Sequence, residues 1–474
     1  MKIARTAISA TLAFALVACG GDSPAPPTSG GGTPTPPTAG CAISQQINFA
    51  NDVLNEWYLF PDLLDNTVAR TGFTDVQDYL DARVAPARAQ GIDRGFTFAT
   101  SIAEENALIA SGSSAGFGIR LGYDTVNNRV FVLEAYEGAS GFAAGIDRGT
   151  ELTGIGTSST NIQSVSSLMS SGGPQAVVDA LGPSTAGLAR FLRFVPATGG
   201  ARTESVVKTD FGLDPVSDRY GALVLDDGGK KVGYINLRTF IVRDAANQLR
   251  EAFGTFKAQG ITELIIDFRY NGGGLVDVAD TFGDLMGAGK VGQIWSETVL
   301  RASKSSENST ELFQTEANAI NPTKIAFIGR GGTASASELV INSMLPYLGN
   351  NVALIGTDTY GKPVGQFGFD LDACDLRVRA VTFQTNNADG NGSYYNGLAS
   401  VVPNTCRAND DIFTPFGDPN EASIAAALDF LGGRTCAAPI TGVPGERTAQ
   451  NVGGRELLQP DRPNAAQFEI PGLF

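Results

Sequence analysis

Three short stretches carry residue types that could do covalent chemistry. The first is Gly331-Gly332-Thr333-Ala334-Ser335-Ala336-Ser337-Glu338, between the apolar run Ile325-Ala326-Phe327-Ile328 and Leu339-Val340-Ile341. Small residues there predict a tight turn into a helix, and a serine at a helix start sits in a positive field that stabilises an alkoxide or oxyanion. The plain alternative is a helix cap, with Glu338 three residues after Ser335 completing a capping box. The second stretch runs from Gly356 to Gln366 and contains Gly361-Lys362-Pro363 on a glycine-rich turn after Val352-Ala353-Leu354-Ile355. A lysine desolvated at such a turn has a lowered pKa, and its neutral amine can accept a serine proton. The third runs from Asp267 to Gly274, where Gly272, Gly273 and Gly274 follow the apolar strand Leu264-Ile265-Ile266-Asp267-Phe268. Successive glycines let backbone N–H groups face a cleft, as an oxyanion hole requires.

The composition narrows the chemistry further. There are 0 histidines, which excludes a Ser-His-Asp triad, a Cys-His pair and any zinc site built on imidazole. A base near neutral pH must then be a carboxylate, a lysine, a thiolate or an amine. The Gly356–Lys362 stretch also fits the phosphate loop GxxxxGK, but Pro363 stands where a Mg²⁺-binding hydroxyl belongs. Ser205-Val206-Val207-Lys208 is a literal SxxK, yet its β-branched pair favours a strand, and SxxK chemistry needs a helix. No metal or cofactor is implied. A net charge of -15 argues against a nucleic-acid partner and against a basic membrane-binding patch.

The elements that must position these residues follow from the patterning. A chain of 474 residues with 42% hydrophobic residues supports two to four domains. Lys2 and Arg5 precede an apolar stretch, Ala7 to Val17, too short to span a bilayer. It ends in Leu16-Val17-Ala18-Cys19, which resembles a bacterial lipobox. Residues 1–19 are therefore expected to be a signal peptide with Cys19 lipidated, and residues 20–40 a Gly/Pro-rich tether. Gly20 after the cysteine favours the outer membrane, with the body facing the periplasm and the membrane touched only through the lipid. Residues 41–112 read as a small helical domain, from apolar spacing at Ile47, Val53, Leu54 and Trp57 and again at Val76, Tyr79, Leu80 and Val84.

Residues 113–210 change to short strands and turns. Gly116-Phe117-Gly118-Ile119 opens a strand, and Gly138 to Ile146 suggests a short helix of small residues. This pattern resembles the PDZ domain, which implies that the amides of Gly116 to Ile119 hold a peptide carboxylate while the peptide adds a strand. Residues 211–436 alternate strands and helices, an α/β core with mostly parallel strands. Residues 437–474 read as an extended tail whose apolar end, Ile470 to Phe474, could enter the peptide groove as a weak internal competitor. With Cys19 set aside, four cysteines allow three connectivities in an oxidising compartment. We expect Cys374–Cys406, closing a strand excursion through Tyr394 and Tyr395, and Cys41–Cys436, tying the start of the body to its end.

Taken together and in order, the three loops resemble the C-terminal processing peptidases, the tail-specific proteases related to tricorn. The resembling residues are Asp267-Phe268-Arg269-Tyr270-Asn271-Gly272-Gly273, Thr333 to Glu338, and Gly361-Lys362 with Gln366. The resemblance implies a multidomain α/β protein whose protease core is crotonase-like and ClpP-like. It implies Ser335 as nucleophile, Lys362 as general base, Gln366 orienting Lys362 by a hydrogen bond, and an oxyanion hole from Ala336 and Gly273. Ser337 stays a rival nucleophile: the family's spacing favours it, although Met344 to Asn351 is two residues long against the pattern, which restores Ser335. The implied substrates are proteins or peptides with free apolar C-termini. The alternative is a non-catalytic lipoprotein that captures C-termini through the PDZ-like domain beside a dead protease core.

Overall fold

The computed structural model describes residues 41–436, 438–441 and 455–474; Cys19, its lipobox and the tether fall outside them. The central layer is a six-stranded sheet in the order Ala222–Asp227, Lys230–Asn236, Glu263–Asp267, Lys324–Gly329, Val352–Gly356, Asn404–Arg407. The first two strands form an antiparallel hairpin, and every later pairing is parallel. Side chains alternate across a pleated strand, and here the alternation sorts two cores. Leu264, Ile266, Ile325, Phe327 and Leu354 face helices Ala245–Ala258, Val276–Leu285 and Ala336–Leu348. Ile265, Ala326, Ile328, Ala353 and Ile355 face helix Ala422–Leu431. Parallel register aligns Asp267 with Ile328 and Gly329 with Gly356, so the loops that leave these strands gather at one end, where open α/β sheets place their sites.

A second, antiparallel sheet carries the lysine turn. Strand Leu376–Asn386 pairs with Val364–Leu371, Phe98–Ser101 and Ile294–Leu300. The helical segment is built onto this sheet. Ile47, Leu54, Tyr79 and Leu80 share one apolar cluster with Val364, Val378 and Val381. A third sheet holds Ile119–Asp124, Arg129–Ala135, Glu151–Gly156, Ala189–Val195 and Arg202–Val207, with helix Val165–Leu181 packed on it. The literal SxxK lies within the last of these strands and its following residue, as its β-branched pair predicts.

Two expectations are corrected. The disulfides are Cys41–Cys374 and Cys406–Cys436, with Cα separations of 5.0 and 5.4 Å, in place of Cys374–Cys406 and Cys41–Cys436. Cys374 lies on the turn of the antiparallel hairpin, against the first helix. Cys406 lies on an edge strand of the parallel sheet, and Cys436 follows the helix packed on that face. The two halves of each expected pair therefore belong to different layers. Residues 455–474 of the tail also form regular structure in place of an extended run. Arg455–Leu457 is a strand, Ala465–Glu469 a short helix, and Leu458, Ile470, Leu473 and Phe474 are buried.

Candidate active site

The turn bearing the serine is held by its neighbours' backbone. Asn271 accepts at its carbonyl from the Ala334 N–H (3.1 Å) and the Ser337 hydroxyl (3.1 Å), while its side-chain amide donates to the Leu237 carbonyl (2.8 Å). Ser337 is 0% exposed, and its hydroxyl is committed to that bond. Ser335 is half-buried and opens the helix with φ 55° and ψ −117°. It and Tyr270 (φ 67°) are two of four non-glycine residues in the left-handed region among the described residues. Such conformations cost of order 1–3 kcal/mol and persist where the surroundings impose them, often at functional sites.

Gly273 shows why no other residue serves there. Its φ is +108°, and a Cβ would lie 2.7 Å from the Ser335 Cβ and 2.9 Å from the Ala336 nitrogen. Its N–H, however, donates to Asn271 Oδ1 at 2.9 Å. That bond removes Gly273 as the oxyanion donor expected from the sequence. The adjacent Gly272 and Ala336 amides donate to no other group among the described residues.

Glu338 joins this turn to the lysine. Its Oε2 accepts from the N–H of Ser335 (3.1 Å) and of Lys362 (2.7 Å), and its Oε1 from the Gly361 N–H (2.7 Å) and the Thr359 hydroxyl. Burial pushes its carboxyl up to about 7, against the lowering effect of those four donors. The sequence showed Glu338 only as part of a capping box. Its return bond to the Ser335 N–H belongs to that motif, but its reach to residues 359–362 carried no local signal.

Lys362 is half-buried, with its ammonium 5.1 Å from the Phe96 ring centroid. Burial holds its pKa below the ordinary lysine value, although the carboxylates of Glu469, Asp93 and Glu338 oppose the shift and Arg379 aids it. Gln366 does not reach Lys362 as expected. Its side-chain amide donates to the Phe96 carbonyl at 2.6 Å, because it lies on a strand that faces the helical segment. Arg94 donates to the carbonyls of Tyr360 and Gly361, both at 2.6 Å. The helical segment thus buttresses the lysine turn. Behind the glycine loop, Arg269 is 1% exposed and pairs bidentately with Glu421, at 2.8 Å for each bond, while its Nε meets Asp267.

A nucleophile turn, a glycine loop and a lysine turn on one buried carboxylate are the arrangement to compare with known proteins, and residues 231–399 match peptidase family S41. Those residues form a peptidase family S41 domain. The S41 domain's relatives include the chloroplastic carboxyl-terminal-processing peptidase 2 of Arabidopsis thaliana, 26% identical over 58% of this chain and 50% of that protein. A Staphylococcus aureus protein named as a CtpA-like serine protease is 31% identical over 43% of this chain and 41% of its own. The chain spans about half the length of these curated relatives. A solved structure from Bacteroides fragilis, assigned to the S41 proteases, shares the fold with a TM-score of 0.63 at 22% identity, covering 81% of this chain and 97% of that one. Ser335, Ala336, Lys362, Gln366 and Gly273 all lie inside the S41 domain, whereas Gly116 to Ile119 and the Phe96 buttress lie outside it.

Proposed function

We propose that this protein is a serine endopeptidase in which Ser335 attacks the peptide carbonyl and Lys362 takes its proton. The observation that carries this reading is the shared oxygen of Glu338, which accepts from the N–H of both residues. Two turns from different sheets thereby act as one unit. The lowered pKa of Lys362 supplies neutral amine nearer physiological pH, as a general base needs. After attack, Lys362 returns the proton to the leaving amine, and the acyl-enzyme is hydrolysed by water activated the same way. The amides of Ala336 and Gly272 receive the oxyanion. Ser337 is discounted because its hydroxyl is sealed away from solvent and bonded to Asn271.

The substrates in this reading are exported proteins whose free apolar C-termini bind the PDZ-like groove at Gly116 to Ile119, with the peptide extending the Ile119–Asp124 strand. The names of the relatives, which process carboxyl termini, support this choice. A Cys19 lipid and the 20–40 tether would hold the enzyme at the outer membrane, facing the periplasm. Incubation with an unfolded protein tests the activity: wild type should degrade it and Ser335→Ala should not. Equal degradation by both removes Ser335 as nucleophile. Peptides with free and amidated ends test the groove, since equal rates on both would remove the carboxylate-reading role.

A further inference from the structure

Residues 455–474 lie along one edge of the third sheet in two consecutive pieces. Arg455–Leu457 pairs antiparallel with Gly122–Asp124, and the Leu458 N–H donates to the Leu121 carbonyl at 2.9 Å. The chain then leaves the edge, forms the Ala465–Glu469 helix, and returns. On return, the Leu121 N–H donates to the Gly472 carbonyl (2.8 Å), while Ile119 and Phe474 exchange bonds of 3.1 and 2.9 Å. This is strand addition at the Gly116–Ile119 loop, with the main-chain carbonyl carbon of Phe474 2.8 Å from where a Cβ on Gly116 would sit. Phe474 is 2% exposed, in the cluster that holds Phe117, Val165 and Leu168.

The excursion between the two pieces reaches the catalytic loops. The Glu469 carbonyl and the Pro471 ring lie 3.0 and 3.1 Å from the Cβ position of Gly272, covering the loop that bears the oxyanion amide. Phe468 stacks on Phe98, with centroids 3.9 Å apart and planes at 8°. The Glu469 carboxylate is half-buried, with Lys362 and Arg379 as its cationic neighbours and Glu105 as its acidic one.

We propose that residues 464–474 are a built-in pseudosubstrate that holds the peptidase latent by filling the peptide groove and the catalytic cleft together. This rests on the peptidase reading above. Three obstructions act at once. An incoming peptide needs the Ile119 and Leu121 amides, which are already donated. Its scissile carbonyl needs the face of Gly272, which is covered. The Glu469 carboxylate acts on Lys362 through its charge and favours the ammonium, the form that cannot accept a proton. A tethered segment also competes at an effective concentration on the order of mM, so a micromolar substrate displaces it only by binding far more tightly.

The test uses the full chain with Ile470→Asp and Phe474→Asp together, set beside the wild type on one unfolded protein. Release should raise kcat/KM at least tenfold and make the Ile119 and Leu121 amides exchange with deuterium. A synthetic peptide of residues 464–474 added to the variant should restore inhibition, and the same peptide with Glu469→Gln should inhibit less. Should the double variant misfold, Glu469→Gln alone in the full chain keeps the apolar contacts and should still raise the rate a few-fold. Equal rates for wild type and the released variant, with those two amides exchanging, would overturn latency while sparing the peptidase reading. Failure of both proteins to hydrolyse the substrate or to react with a fluorophosphonate at Ser335 would overturn both.

Discussion

The proposed nucleophile and its proposed base are held by different kinds of structure. Ser335 rests on one parallel sheet, where Asn271 and Glu338 fix the turn through bonds between neighbouring loops. Lys362 rests on a hairpin of the second sheet, and its turn is propped by Arg94 and by a Gln366–Phe96 bond whose partners are 270 positions apart. The serine turn's support comes from loops of the same sheet, through the Asn271 carbonyl and the Glu338 carboxylate, and glycine is demanded at Gly273. The base's support is distant and made by side chains. Damage far from the chemistry should therefore fall on the base side and leave the serine turn standing.

The largest expected effects remove the pair itself. Ser335→Ala and Lys362→Ala should each abolish hydrolysis of an unfolded protein with melting unchanged, and the double variant should be little worse, because members of one unit are not additive. Ser337→Ala should retain activity, and an inactive Ser337→Ala beside an active Ser335→Ala would reverse the assignment.

Next comes the link between the two sides. Glu338→Gln puts an amide donor near the N–H groups of Ser335 and Lys362, leaving buried donors unsatisfied at roughly 1–3 kcal/mol each. Turnover should fall about 100-fold, measured as kcat on a peptide substrate. A loss no larger than that of Gln366→Ala would deny Glu338 its linking role.

Smaller effects sharpen the contrast within the base side. Gln366→Ala should lower kcat several-fold through the Phe96 wall, leaving fluorophosphonate labelling of Ser335 detectable. Because burial depresses the Lys362 pKa, the neutral amine accumulates as pH rises through that lowered value, and kcat/KM should rise with it. Full activity at pH 4 would contradict an amine base.

The disulfides should matter to stability more than to rate. Cys41–Cys374 encloses a sequence separation of 333, and Cys41→Ser should cost about 2–5 kcal/mol in urea unfolding with kcat preserved. Peptide mapping without reduction should return Cys41 with Cys374 and Cys406 with Cys436.

How much the sequence revealed follows the same division. The continuous apolar runs at Leu264, Ile325 and Val352 forecast the parallel sheet, and the small-residue turn at Ser335 and the glycine run were legible because both are local signals. The lysine turn was legible as a turn, but its props were not, since Arg94, Phe96 and Gln366 meet only after two sheets have folded. Cysteine pairing failed for the same reason: spacing along the chain does not report which layer each residue enters. Gly273 lies against Ser335 and Ala336, but no pattern announces that Asn271 would take its N–H. The apolar residues at 470–474 suggested a groove ligand, but nothing in the sequence placed the Pro471 ring against Gly272.

The position of Glu338 also bears on how the protein is made. During synthesis the serine turn emerges before residues 359–362, and until those arrive Glu338 lacks three of its four donors. A buried carboxylate in that condition is not tolerated in a packed interior, so the turn has no reason to hold its strained shape. The Ser335 and Lys362 turns should consequently form in a single folding event. An unfinished chain would therefore hold neither turn in its final shape.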